Sequence, residues 1–387
     1  MLTNLTTRPP DPLLKIIAMF REDPRADKID LGVGVYKDTS GATPLMRAVK
    51  VAEQTLLNTQ TTKTYVGQQG DADFLNLFGE LAFGAIAPDL VSIQTVGGTG
   101  ALRLGFDLLK ASGAKRVLVP TPTWPNHPAI IRASGLEQID VEFFNVADQK
   151  IDLDALLAAF KKLEPGDAVL LQGCCHNPLG ADFDMPQWRA LTEAIVVHKL
   201  IAYIDVAYIG FGDGIDEDVA GVRHVLAHAP EVIVATSCAK SFGIYRERVG
   251  GLYVKAAAEA RAAVRSNLFG IARANYSMPP DHGAATVREV LKDATLRQAW
   301  RDELDENRAH IKGTRAALAA SRVNAIPMHL IAAQKGMFTT LPLNQAQIDT
   351  LRTAHGIYMT DAARINVAGL RRADIPRFLE ALGSVTG

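Results

Sequence analysis

The sequence predicts an α/β protein: a large domain over 44–306 built on a mostly parallel sheet covered by helices, and a smaller α+β domain formed by 1–43 and 307–387. Three observations carry that expectation. Short apolar runs alternate with amphipathic stretches through the middle of the chain, as strand–helix–strand units require. Beyond Pro280 the pattern changes to long helical periodicities. With 387 residues, 48% hydrophobic and 21% charged, the chain holds enough apolar material for one large core and a second, smaller one.

In chain order, KIDLGVGVY (28–36) is a short β run broken by Gly32 and Gly34, glycines that allow close approach of the backbone to another group. Helical spacing follows over 43–57, and the polar TTKTYVGQQG (61–70) reads as an exposed loop whose Tyr65 has no core to join. Strands are expected at 116–120, 168–175, 200–206, 231–235 and 250–254, with helices at 153–162 and 186–199 among them. Leu296, Trp300, Leu304, Ile311 and Leu318 recur at fours and sevens. They form one apolar stripe on a helix running towards Ser321, long enough to bridge two domains. The tail offers GMFTTLPL, a helix at 344–355, the short runs GIYMT and RINVAG, and a last helix at 374–382. No internal repeat, low-complexity tract or flexible linker interrupts this order.

Composition removes several function classes. A net charge of −1, from 41 basic and 42 acidic residues, argues against nucleic acid or a membrane surface as partner. Cys174, Cys175 and Cys238 have neither metal-ligand spacing nor a plausible disulfide pairing, since two are adjacent. The opening MLTNLTTRPPDPLLK lacks the charged start and apolar run of an export signal, and no apolar stretch is long enough for a bilayer. The expectation is a cytoplasmic protein without metal.

The chemistry centres on TSCAKSFGIYRERVG (236–250), which follows the strand-like EVIVA. The carboxyl ends of strands are where α/β proteins hold ligands. Lys240 is an amine able to form a Schiff base with a carbonyl, and Arg246 or Arg248 can hold a phosphate on the same molecule. Together those demands describe pyridoxal phosphate. VGGTGALR (96–103) runs from an apolar stretch into a helix and can cup an anion, with Thr99 adding a hydroxyl; by itself such a glycine-rich run is more often just a turn. TPTWPNH places Trp124 where an indole can stack on a flat ring, although alone it reads as a core tryptophan and His127 as a structural histidine. In GCCHNPLG, Asn177 precedes a proline and can donate into a crevice, or serve as a turn asparagine. Asp205 interrupts the apolar run YIDVAY, and a buried carboxylate costs several kcal/mol unless paired. A protonated pyridine nitrogen serves as that partner, as does a structural arginine, and Tyr208 stands three residues on.

The motifs LGVGVYKD, KTYVG, GGTGALR, TWPNH, CCHNP, DVAY, SCAK, ERVGG, RANYSMPP, GMF and RINVAG, in this order from Lys28 to Gly369, resemble the aspartate and aromatic aminotransferases, class I pyridoxal phosphate enzymes of fold type I. The resemblance implies that Lys240 carries the cofactor and Asp205 faces its ring nitrogen. Tyr208 and Asn177 would hold the ring's phenolic oxygen, and Trp124 would stack on its face. Gly97, Gly98, Thr99, Ser237 and Arg248 would bind the phosphate, with Tyr65 entering from a second copy in a homodimer with shared sites. Arg364 would clamp the substrate α-carboxylate near Gly34, Trp124 and Asn177, and Arg273 would cross from the partner to a side-chain carboxylate. The implied reaction transfers the amino group of aspartate or of an aromatic amino acid to 2-oxoglutarate, with Lys240 moving the Cα proton.

Some positions depart from the family pattern: Gln172 for a histidine, Leu179 for threonine, Ile209 for glutamine and Ala239 for serine. Thr64 and Met278, less polar than the asparagines common in aspartate-preferring relatives, lean the reading slightly towards aromatic substrates, while Val35, Lys37 and Thr43 stay aspartate-like. Two competing readings are a pyridoxal phosphate β-lyase, which needs no Arg273 and releases pyruvate, and a sensor domain, which needs an added DNA-binding module.

Overall fold

A computed structural model describes residues 2–7, 12–324 and 326–387. Seven strands make the main sheet: β1 (Val91–Val96), β2 (Arg116–Thr121), β3 (Glu137–Glu142), β4 (Ala168–Gln172), β5 (Ile201–Val206), β6 (Val232–Ser237) and β7 (Val249–Lys255). Their spatial order is β1-β7-β6-β5-β4-β2-β3, with β7 alone antiparallel to its neighbours. The five expected strands all lie in this sheet, joined by β1 and β3. β4 ends before the expected Cys175, because Cys175 adopts φ 52° and turns the chain into the Asn177–Pro178 bend.

Alternation along the strands sorts side chains between two layers. Val169, Leu171, Ala202, Ile204, Val232 and Val234 enter the core on one face. Ala168, Leu170, Tyr203, Ile233 and Ala235 enter the core on the other, against the helix Gly97–Ala111. Each valine, leucine or isoleucine among them stabilises by about 1.5–3 kcal/mol when fully buried. Asp205 follows Tyr203 by two residues and so emerges on the Tyr203 face, at the end of β5.

A third core unites the start and end of the chain: Ile29 and Leu31 pack with Ile357, Ile365, Phe378 and Leu382. Short strands stitch it, Ile29–Asp30 parallel to Ile357–Tyr358 and Phe338–Thr340 antiparallel to Arg364–Asn366. The helix Gln345–His355 opens with a reciprocal capping box from Asn344 and Gln347, satisfying two otherwise unpaired N–H groups.

The long helix Ala294–Ala319 carries the expected stripe. Trp300, Leu304 and Ile311 join the first core, and Leu318 joins the third. Trp300 is fully buried, donates its indole N–H to the Ser241 carbonyl at 2.7 Å and stacks on Phe242 with centroids 4.5 Å apart. This anchors the turn that carries Lys240. The expected helix at 43–57 begins later, at Arg47, since Met46 is extended; the expected loop at 61–70 is exposed through Gln68, while Gln69 is half-buried and Gly70 buried. None of the helices among the described residues is long and apolar enough to cross a membrane.

Trp300→Ala removes a large core side chain and a buried hydrogen bond, so it should destabilise the protein by about 3–5 kcal/mol. Denaturant unfolding measures this; a loss below about 1 kcal/mol would contradict the anchoring role.

Candidate active site

The sheet register brings the chemistry together. Gln172 lies opposite Asp205, Ser237 opposite Gly250, and Val96, just before Gly97, opposite Val249. At these strand ends a cavity of about 140 Å³ is lined by Gly98, Thr99, Trp124, Gln172, Asn177, Asp205, Tyr208, Ser237, Ala239, Lys240 and Arg248. A roomier groove of about 580 Å³ lies along the helix Ala72–Phe83, where Arg223 pairs with Asp216. It offers no lysine, cysteine or serine to a reaction.

Lys240 presents its amine 4.8 Å from the centre of the Tyr208 ring, with no hydrogen-bond or ion-pair partner among the described residues. Burial chiefly, with Arg248 adding to it and Asp205 opposing it, pulls its pKa down to about 8. The lowered pKa gives Lys240 a larger neutral fraction near neutral pH than an ordinary lysine has, which suits both attack on a carbonyl and proton transfer.

Asp205 has no arginine partner among the described residues. One carboxylate oxygen lies 3.2 Å from His127 Nε2, the other has no donor among the described residues, and the residue lines the cavity. His127 Nδ1 lies 2.7 Å from the Thr123 hydroxyl. The tautomer protonated at Nε2 satisfies both contacts, donating to Asp205 and accepting from Thr123. His127 is therefore more than a core histidine. Its partner lies 78 residues away, so no local sequence signal marks the pair.

The opposite wall holds Tyr208 and Asn177, and Arg364 is bonded to Asn177. Burial pushes the Tyr208 phenol far above its ordinary range, so it stays a donor. Asn177 Nδ2 donates to the Tyr208 oxygen at 3.3 Å. Arg364, 5% exposed, donates to Asn177 Oδ1 at 3.1 Å and to the Gly32 carbonyl at 2.6 Å; its Nε is buried without a partner. Its guanidinium stacks 4.5 Å from the Phe338 ring centre. No carboxylate pairs with it among the described residues. Asn366, two residues on, donates to the Val33 and Val35 carbonyls and ties down the Gly32–Gly34 backbone. A Cβ on Gly34 would stand 3.0 Å from Phe338, so only glycine packs there without displacing that ring.

The anion cup forms where β1 enters the helix Gly97–Ala111. Gly97 has φ 66°, and a Cβ there would fall 2.6 Å from Arg248 Nη2. Arg248 adopts φ 55°, donates to the Tyr245 carbonyl at 3.2 Å and has no carboxylate partner among the described residues. The helix's free N–H groups, Thr99, Ser237 and Arg248 thus face one anion-sized space.

These groups fit pyridoxal phosphate: an unpartnered amine, an open carboxylate oxygen, a phenol held as donor and an anion cup share one cavity. Tyr65, 90% exposed, and Arg273, exposed and bonded to the Ser277 hydroxyl, do not line it within this chain. Of the departures, Gln172 and Ala239 line the cavity, Leu179 and Ile209 are buried, Thr64 is exposed and Met278 is half-buried.

Comparison with known proteins agrees with this geometry. The family model for aminotransferase class I and II matches residues 26–382. A tyrosine aminotransferase of Rhizobium meliloti is 46% identical over 378 residues, covering 97% of each chain. An aspartate aminotransferase of Salmonella typhi is 40% identical over 399 residues, covering 100% of each. The structure of an aromatic-amino-acid aminotransferase from Burkholderia pseudomallei, covalently bound to pyridoxal phosphate, superposes with a TM-score of 0.95 at 35% identity over 100% of both chains.

In the ligand-free protein, acylation of Lys240 followed by mass spectrometry should have a pH midpoint near 8. Asp205→Asn removes the charge that raises this pKa, so the midpoint should fall. A wild-type midpoint above about 10, the ordinary lysine range, or a rise in Asp205→Asn, would refute this electrostatic account.

Proposed function

The chain belongs to the class I and II aminotransferases, and from that premise we propose that it transfers the α-amino group of aspartate and of the aromatic amino acids tyrosine, phenylalanine and tryptophan to 2-oxoglutarate, using pyridoxal phosphate. The observation that carries this reading is that Lys240 and Asp205 line one cavity without pairing with each other, while Arg364 is bonded to Asn177, a residue of the same cavity wall. Each is left available to a ligand group of opposite character.

Bound there, pyridoxal phosphate supplies a carbonyl that takes up the amino group and a ring that spreads the electrons released at Cα. Lys240 anchors it, then acts through its freed Nζ as base and acid at Cα. Asp205, steadied by His127, holds the proton on the ring nitrogen. Tyr208 and Asn177 would donate to the cofactor's phenolic oxygen and Trp124 would cover its ring, all three being residues of the cavity wall. Gly97, Gly98, Thr99, Ser237 and Arg248 bind the phosphate.

Arg364 binds the α-carboxylate, its planar guanidinium already oriented by Asn177 and the Gly32 carbonyl. Gly34 leaves the adjacent space open beside Phe338. Arg273 of a second copy takes the distal carboxylate of aspartate and of 2-oxoglutarate, and that copy's Tyr65 completes the phosphate site. Support for a homodimer comes from Leu45, Val51, Leu57, Tyr65 and Val66, large apolar side chains exposed along one segment of the single chain. Thr64 and Met278 favour acceptance of aromatic side chains. The lyase reading gains no support from the relatives named above, both aminotransferases. A cytoplasmic site of action rests on three free, buried cysteines, which suit a reducing compartment.

Steady-state rates with aspartate, phenylalanine and tyrosine, each with 2-oxoglutarate, test the substrate class. Transfer from aspartate and at least one aromatic acid is expected; negligible kcat/KM for all three would sink the two-arginine reading. Arg364→Ala removes charge-assisted hydrogen bonds of about 1.5–3 kcal/mol each, so kcat/KM should fall roughly a hundredfold or more. A change below about threefold would remove Arg364 from carboxylate binding.

A further inference from the structure

Gln172 uses its side-chain oxygen and one of its N–H groups to hold a neighbour. Its side-chain oxygen accepts the Asn177 backbone N–H at 2.9 Å, and its side-chain nitrogen donates to the Asn177 carbonyl at 2.8 Å. The remaining N–H lies 3.2 Å from His176 Nε2. The side-chain amide thus grips the backbone of Asn177 at both its polar groups, where β4 has ended and no strand neighbour satisfies them.

The chemistry of the clamp demands an amide. It requires one acceptor and two donors in a plane, which a carboxylate, an imidazole or a thioether cannot supply together. His176 fits the same logic. Burial pulls its pKa down to about 3, so the ring is unprotonated at working pH and Nε2 accepts from Gln172. Its proton then lies on Nδ1, which is buried without a partner, a local cost that the clamp offsets. The Pro178 carbonyl is held in turn by the Thr340 hydroxyl, and Thr340 pairs directly with Arg364 across two strands.

The gripped residue faces both halves of the reaction. Asn177 Oδ1 accepts from Arg364 and Nδ2 donates to Tyr208, so one amide orientation aligns the carboxylate clamp and the phenol together. We propose that Gln172 is a positioning residue: by clamping the Asn177 backbone it sets, through one side chain, both the Tyr208 hydroxyl at the cofactor oxygen and the Arg364 guanidinium at the substrate carboxylate. The inference rests on the aminotransferase reading and adds to it a coupling between cofactor and substrate sites. Gln172 itself touches neither reacting atom in this account.

The test is a double-mutant cycle on protein loaded with pyridoxal phosphate, read without turnover. One readout is the pH midpoint of the cofactor absorbance at Lys240, and the other is the Kd of succinate, an unreactive dicarboxylate. Gln172→Met, similar in length but without the clamp, should raise the midpoint by roughly half to one unit and weaken succinate by about tenfold, both effects appearing together. In an Asn177→Ala background the same substitution should change succinate binding by less than about twofold and leave the midpoint in place. If Gln172→Met does not fold, Gln172→Glu, which keeps size and acceptor but lacks both donors, enters the same comparison. Effects of full size in the Asn177→Ala background, or none in the presence of Asn177, would overturn the proposal. A wild-type protein that loads no pyridoxal phosphate at Lys240 overturns the aminotransferase reading as well, whereas a loaded, active enzyme lacking the coupling overturns this inference alone.

Discussion

Charge without a partner is the constraint on which the site depends. Lys240 and Asp205 stand at the ends of the main sheet and Arg364 on a short strand of the third core, and among the described residues none pairs with a Lys, Arg, Asp or Glu side chain of opposite charge; Asp205 contacts His127 alone. An unpaired buried charge costs several kcal/mol. The surrounding structure holds these groups apart by polar contacts that fix orientation without neutralising charge: Thr123 and His127 behind Asp205, Asn177 and the Gly32 carbonyl around Arg364. A ligand with a cationic ring nitrogen, an electrophilic carbon and carboxylates supplies what the protein withholds.

The fold makes that arrangement affordable. Two apolar layers fix β4, β5 and β6 in parallel register, so their ends deliver Gln172, Asp205 and Ser237 to one rim. β7 returns antiparallel beside β6 and brings Arg248 back to the cup beside Gly97. Arg364 comes from the third core, on a short strand tied by Asn366 to the Gly32–Gly34 backbone. The substrate clamp and the cofactor cradle therefore rest on different cores, and the Asn177 side chain hydrogen-bonds both Tyr208 and Arg364.

Much of this was legible in the residues. Apolar runs located five strands, and the stripe from Trp300 to Leu318 located the long helix, because burial on defined faces writes a period into the sequence. β3, EQIDVE, escaped that reading because an edge strand with half-exposed, charged positions carries little apolar signal. The reversal of β7 follows from 238–248, which contain no helix to return the chain for a parallel pairing. Lys240 and Asp205 stood out locally, but Arg364 was one of 41 basic residues until the family resemblance selected it. The His127–Asp205 and Gln172–Asn177 contacts had no such signal, since they exist only once the strand ends meet. Tyr65 and Arg273 lie outside the cavity of one chain, and the roles proposed for them require a second copy.

The central claim is that Lys240, Asp205 and Arg364 together perform an amino transfer that conserves nitrogen. Loaded protein mixed with excess aspartate and no oxo acid tests it most directly, by quantifying oxaloacetate, pyruvate and ammonia. The account predicts about one equivalent of oxaloacetate per Lys240, without ammonia, because the amino group stays on the cofactor until an oxo acid arrives. Continuous release of ammonia with pyruvate would contradict it.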